Sequence, residues 1–214
     1  MAYNLQEQEQ IDELKSFWTR YGNAILGALT IALFVFAGVR GWNWYETRQA
    51  TAASGIYSQL TQAVESKNIE QVKQRSEDLF KQYGGTAYGQ MAGLMAARAY
   101  VDANDLPGAK GALQWVIDNA EDDEFKHLAR LRLSGLLLDE KSFDAALKLL
   151  DPAQAGKLTP EMSGAFADRR ADVMLAQDNA SGAKAEYEKA LATLPAASPL
   201  RQLVQLKLDS LGSR

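Results

Sequence analysis

One stretch restricts what this chain can become more than any other. From Tyr21 to Val39 there are 19 consecutive residues without a charge, and Ala24–Val39 is almost wholly apolar. A helix rises ~1.5 Å per residue, so about 20 residues cross a hydrocarbon layer ~30 Å thick. The run is apolar all round and lacks the polar stripe that a core helix turns to water. Trp18 and Tyr21 precede it, and Trp42, Trp44 and Tyr45 follow it, as the two interfaces of a bilayer favour. Arg40 stands at the far edge, where its stem can lie along the apolar layer while its charge reaches water. We expect a single transmembrane anchor over residues 21–45.

The 20 residues before the anchor carry Glu7, Glu9, Asp12 and Glu13, unlike the short basic opening of a secretory signal. Ala50-Thr51-Ala52 resembles a cleavage site but lies well past the apolar run, so the anchor is expected to stay uncleaved. Within the tail, residues 1–20, Ile11, Leu14 and Trp18 lead to Tyr21 at helical spacing, which predicts an amphipathic helix feeding into the anchor. Lys15 and Arg20 on one side balance Arg40 and Arg48 on the other, so charge alone leaves the orientation open. Ala24, Ala28 and Ala32 form a small-residue line of the kind that can seat a second membrane helix.

Beyond the anchor the sequence shows no strand-like alternation and repeats itself instead. Ala109, Ala146 and Ala183 are 37 residues apart, as are Ala97, Ser134 and Ala171. The same step joins Tyr100, Leu137 and Met174, then Leu113, Leu150 and Tyr187, then Val116, Ala153 and Ala190. Between the two helices of each unit it brings up Asp105, Ser142 and Asn179, all good N-caps, and one step earlier Asn68. A small residue, then an aromatic or aliphatic one, a short turn, and Ala–(x3)–large–(x2)–small is the tetratricopeptide pattern. Gly182–Leu191 is its clearest copy. The period of 37 exceeds the usual 34, and the extra residues are expected in the connections between units. Pro152, Pro160, Pro195 and Pro199 are expected in those connections.

The fold class is therefore all-α: a single transmembrane helix followed by a tetratricopeptide-like right-handed helical solenoid over residues 46–198. We place a degenerate unit at about 56–84, further units at about 90–121, 127–158 and 164–195, and a C-terminal capping helix at 199–214. Leu60 stands where the degenerate unit should have a small residue.

The residues that would carry chemistry are few. There is no cysteine and one histidine, which removes thiolate metal sites and leaves little for a triad or a zinc centre. His127 is expected at the surface. Glu121–Glu124 reads as a solvated helix start, since four consecutive acids cannot face one ion and the alternation of a calcium loop is absent. From Gln49 on, 19 Lys and Arg face 22 Asp and Glu, so the basic stripe that nucleic acid requires is missing. No catalytic residue, cofactor or metal site is expected, and the chain reads as a binding scaffold and not an enzyme. A partner surface should lie on the inner faces of the first helix of each unit. Those faces would carry Leu94, Arg98, Val101 and Asp102, then Leu131, Gly135, Leu138 and Asp139, then Asp168, Asp172 and Leu175. A mixed apolar and acidic lining suits extended or partly unfolded polypeptide.

The order of features resembles a known family. A Glu/Gln-rich tail, Leu14-Lys15-Ser16-Phe17-Trp18, Tyr21-Gly22-Asn23, one anchor and degenerate tetratricopeptide units to the end are similar to the YfgM-like proteins of the bacterial inner membrane. The resemblance covers essentially the whole chain and implies a cytoplasmic N-terminus and a periplasmic repeat domain. It implies an ancillary role at the SecYEG translocon, association with the periplasmic chaperone PpiD, and the transfer of emerging secretory polypeptides. The repeats by themselves would equally serve a cell-envelope assembly or division scaffold.

Overall fold

The computed structural model describes residues 3–212, with side chains from Glu9 onward. The extreme ends of the expected tail and capping helix, residues 1–2 and 213–214, lie outside the described residues, as does the side chain of Glu7. Among the described residues every element is helical: α1 (Tyr3–Glu65), α2 (Ile69–Tyr83), α3 (Ala87–Asp102), α4 (Leu106–Asn119), α5 (Asp123–Asp139), α6 (Phe143–Leu149), α7 (Pro152–Ala155), α8 (Pro160–Ala176), α9 (Ala180–Thr193) and α10 (Leu200–Gly212). The chain divides into two compact segments, Met1–Gln49 and Ala50–Arg214.

In the first segment, α1 leaves its apolar residues uncovered. Leu29, Ile31, Leu33, Val35 and Phe36 are all more than half exposed, and Phe34 is 74 % exposed. A core helix would bury such residues; here only a bilayer would take them out of water. The rings flanking the run are arranged locally. Trp18 lies over Gly22, Phe17 and Tyr21 pair at 5.1 Å, and the Arg48 guanidinium sits 4.3 Å from the Trp44 ring centre. Amphipathic rings and a snorkelling arginine of this kind suit the headgroup layer.

In the second segment the small-residue columns are where helices close on each other. Ala97, Ser134 and Ala171 are at most 2 % exposed, and Ala109, Ala146 and Ala183 are completely buried. The large partners Leu113, Leu150 and Tyr187 fill the space between them. Where contact is closest, even a methyl is too much. A Cβ on Gly93 of α3 would stand 2.3 Å from Val116 of α4, and one on Gly164 of α8 would stand 2.4 Å from Leu194 after α9.

The turn inside each helix pair repeats almost atom for atom. Lys67, Asn104, Lys141 and Asp178 all have positive φ, between 54° and 61°, and they are 37 residues apart. The following amide in each case reaches back to a carbonyl five residues earlier: Asn68 to Ala63, Asp105 to Tyr100, Ser142 to Leu137 and Asn179 to Met174, at 2.8–2.9 Å. This is the left-handed helix stop usually made by glycine, and the residue after it caps the next helix. Asn68, Asp105 and Asn179 accept a bond from the amide three residues on, whereas Ser142 makes no side-chain cap bond. A side chain in that conformation is penalised by contact with its own backbone. Glycine removes a left-handed penalty of roughly 1–2 kcal/mol at the cost of about 0.5–1 kcal/mol of chain entropy, so Lys141→Gly should raise unfolding stability by about 0.5–1 kcal/mol, with Lys141→Ala close to neutral. Urea titration followed by circular dichroism would show it, and a loss on glycine would contradict it.

Two details differ from expectation. The extra residues of the 37-residue period are not in a lengthened connection between the units at 90–121 and 127–158, since only Ala120, Glu121 and Asp122 separate α4 from α5. The second helix of the middle pair is also broken. Proline lacks an amide donor, so the chain restarts at Pro152 with Asp151 as cap, and α6 is only 7 residues long where α4 and α9 have 14. Pro152 and Pro160 are thus first residues of helices and not loop residues.

Candidate functional site

The first helices of two adjacent pairs, α3 and α5, frame a groove of about 740 Å³. Leu94, Met95 and Val101 come from α3, and Arg132, Gly135, Leu136 and Asp139 from α5. Tyr57 and Val64 of α1 and Phe125 add apolar surface, and Arg169 reaches in from α8. Tyr57 is stabilised in its neutral form by burial and by its neighbour Tyr88, 5.5 Å away between ring centres.

Of the residues expected on the inner face, the groove brings together Leu94, Arg98, Val101, Gly135 and Asp139. Asp102 stands beside it, accepting from Arg98 Nε at 3.0 Å on an exposed surface. The others lie elsewhere. Leu131 packs toward Leu150 and Phe166, Leu138 is half-buried outside the groove lining, and Leu175 belongs to the core of α8 and α9. Asp168 and Asp172 are occupied by α10. Lys207 Nζ donates to Asp168 at 2.8 Å and to Asp172 at 2.8 Å. Tyr187 Oη donates to Asp172 at 2.6 Å. Burial pushes the Asp168 carboxyl above the usual carboxylate range, against the pull of Lys207. Burial, and then the Asp172 carboxylate, push the Tyr187 phenol up as well. This cluster locks the capping helix in place and leaves no carboxylate pair open to a cation.

Besides further apolar residues, two charged groove residues have no counterpart in the sequence expectation, Arg132 and Arg169. They sit in one 37-residue column with Met95, which turns the same way on α3. Arg132 Nη1 donates to the Leu94 carbonyl at 3.2 Å, and the Arg169 Nε is buried without a hydrogen-bond acceptor. Partial burial first, and the Arg98 charge second, bring the Arg132 pKa below the ordinary guanidinium value. An arginine so placed is still a cation. The groove is thus apolar with a cationic wall, in place of the expected mixed apolar and acidic lining.

His127 is also displaced from expectation. It is 4 % exposed, meets Phe166 edge-on, and its Nε2 donates to the Ala155 carbonyl at 2.7 Å. Its column partner one step on is Gly164, which lies against the end of α9. The middle pair lacks that part of the second helix because α6 is short, and the imidazole fills the space. Its partners among the described residues are thus a backbone carbonyl and an aromatic ring. Asp122 caps α5 by accepting from the Glu124 amide at 2.8 Å, and Asp123 pairs with Lys126, so the acidic run serves a helix start.

The comparisons with known proteins agree with this architecture along nearly the whole sequence. The tetratricopeptide repeat-like domain family matches residues 15–213. An ancillary SecYEG translocon subunit from Neisseria gonorrhoeae is 31 % identical, over 99 % of this chain and 100 % of its own. One from Escherichia coli is 26 % identical over 96 % of both chains, and one from Haemophilus influenzae is 26 % identical over 99 % of this chain and 100 % of its own. With one exposed apolar helix long enough to cross a membrane and a helical-repeat domain after it, this chain belongs to the tetratricopeptide repeat-like family of ancillary SecYEG translocon subunits.

Proposed function

We propose that this chain is a non-catalytic, single-pass inner-membrane subunit that works beside SecYEG. Its repeat domain faces the periplasm, its N-terminal tail faces the cytoplasm, and its groove receives emerging secretory polypeptide for transfer to a chaperone such as PpiD. The observation that carries this reading is the groove between α3 and α5, open, mostly apolar, and built on a protein whose anchor holds it at the membrane. Extended chain buries apolar side chains in such a surface and keeps its backbone polar groups near water. Family membership supports SecYEG as the neighbour; the resemblance of tail, anchor and repeats supports PpiD and the orientation.

Photo-crosslinking in native membranes tests it. A photoreactive residue at Arg98 or Asp139 should capture secretory polypeptide in transit, while one at Leu206 on exposed α10 should capture little. One at Ala28 in the anchor should capture a SecYEG subunit. Equal yields from groove and α10 positions would refute a role for the groove.

A further inference from the structure

Acids outnumber bases after the anchor, 22 to 19, yet three arginines converge on one groove. Arg98 has Asp102 for a partner. Arg132 and Arg169 have none among the described residues: no carboxylate lies within ion-pair distance of either. The only carboxylate in the lining is Asp139, which is exposed. By contrast Arg170, next in sequence to Arg169, meets Glu186, and Arg201 holds the Leu191 and Leu194 carbonyls. Arg130, whose Nε is also buried without an acceptor, lines a different surface with Lys110 and Lys148. The domain thus satisfies Arg170 and Arg201 from within, whereas the exposed Arg132 and the half-buried Arg169 reach the apolar groove with no carboxylate at ion-pair distance, Arg169 acting on the Asp168 carboxyl only from beyond it. Cations held together with part of their hydration removed repel one another, and an incoming anion relieves that repulsion while keeping the apolar contacts. Guanidinium groups bind carboxylates through paired hydrogen bonds, so the wall recognises a geometry as well as a sign.

We propose that the groove selects polypeptide segments in which acidic side chains are flanked by apolar residues, with Arg132 and Arg169 as the carboxylate receptors. This rests on the groove being a polypeptide site. The apolar floor from Leu94, Met95 and Leu136 takes the flanking side chains, and the arginines set which segments stay. Basic segments, which the same apolar floor would otherwise accept, are disfavoured by the wall.

Full-length protein in detergent micelles, titrated into fluorescein-labelled peptides and read by anisotropy, tests the proposal. Three amidated peptides share one apolar framework and one label and differ only in carrying two Glu, two Gln or two Lys, so that any difference between them comes from those side chains. The Glu peptide should bind about tenfold tighter than the Gln peptide, with the Lys peptide weakest, and the gap should narrow as salt rises. Arg132→Gln together with Arg169→Gln should bring the Glu and Gln peptides together. Arg98→Gln, at an exposed position, should reduce the gap less and serves if the double variant unfolds. Equal binding of the Glu and Gln peptides by the native protein would overturn the charge selection while leaving a polypeptide groove. Binding of none of the three would overturn both.

Discussion

Arg170→Met is expected to cost about 3–5 kcal/mol, as much as truncating a large core side chain. The Arg170 side chain is only 8 % exposed, and its guanidinium serves three elements at once. Nε donates to Glu186 of α9 at 3.0 Å, and Nη1 donates to the Leu150 carbonyl at 2.9 Å, where α6 ends. Leu150 has no helical amide to satisfy that carbonyl, because the chain breaks at Pro152. Methionine keeps most of the volume but leaves Glu186 charged and 19 % exposed, and the carbonyl buried. An uncompensated charge is what makes breaking such a pair expensive. Replacing both partners, as Arg170→Met with Glu186→Leu, should restore more than half of the loss. Because repeats contact chiefly their neighbours, the damage should be local. Hydrogen exchange should show faster opening of α8, α9 and α10 and little change in α3 and α4. A loss below about 1 kcal/mol, as for a surface pair, would mean that the pair is not held as described.

That contact illustrates what the amino-acid sequence makes visible and what it hides. The period is legible because packing demands small residues at fixed places, so Ala109, Ala146 and Ala183 stand out from their spacing alone. The turn geometry is not legible. A left-handed stop is normally read from glycine, and here it falls on Asn104 and Asp178, which tolerate that conformation, and on Lys67 and Lys141, which have no preference for it and are held there by the helix packing on either side. The broken helix of the middle pair leaves one sign, Asp151-Pro152, which the regular column through Ala153 obscures. Burial of His127 follows from that break and has no separate signature, since a lone histidine reads as solvated unless the half-turns missing beside it are taken into account.

The groove is half legible for a related reason. Columns through Arg98 with Gly135, and through Asp102 with Asp139, point to the face where the groove forms. The columns through Leu94 and Val101 lead away from it within one repeat, because Leu131 and Asp168 turn toward the next pair and Leu138 and Leu175 leave the lining. Arg132 and Arg169 read in the sequence as ordinary surface charge. Their separation of 37 residues is the available signal, since two arginines in one column share one direction in the stack. Both Asp168 and Asp172 are engaged by the single charge of Lys207, which comes from α10 and lies outside the repeat alignment altogether, so they are drawn away from the groove without being fully neutralised.

The anchor should give the largest effect of all when two charges are placed at its centre. Leu29 and Leu33 lie near the midpoint of the uncharged run, both more than half exposed on one side of α1. An arginine at the centre of a membrane helix costs about 2.5–3.5 kcal/mol, and each leucine lost forfeits about 0.5 kcal/mol more. Leu29→Arg with Leu33→Arg is therefore worth roughly 6–8 kcal/mol, more than a ten-thousandfold shift against insertion. Neither side chain can snorkel from the midpoint as Arg40 can from the edge. Alkaline carbonate extraction should move the doubly charged protein from the membrane pellet to the supernatant, while Leu29→Ile with Leu33→Ile stays in the pellet. The repeat domain should fold as before, since its core lies within residues 50–214, and hydrogen exchange in α3–α5 should be unchanged. Crosslinks from Arg98 to secretory polypeptide should then disappear although the groove is intact, because their yield depends on how often the groove meets the emerging chain. If the released protein captured those polypeptides as well as the anchored one, the anchor would be dispensable for delivery. If the charged variant resisted carbonate, α1 would not be held by the bilayer at all.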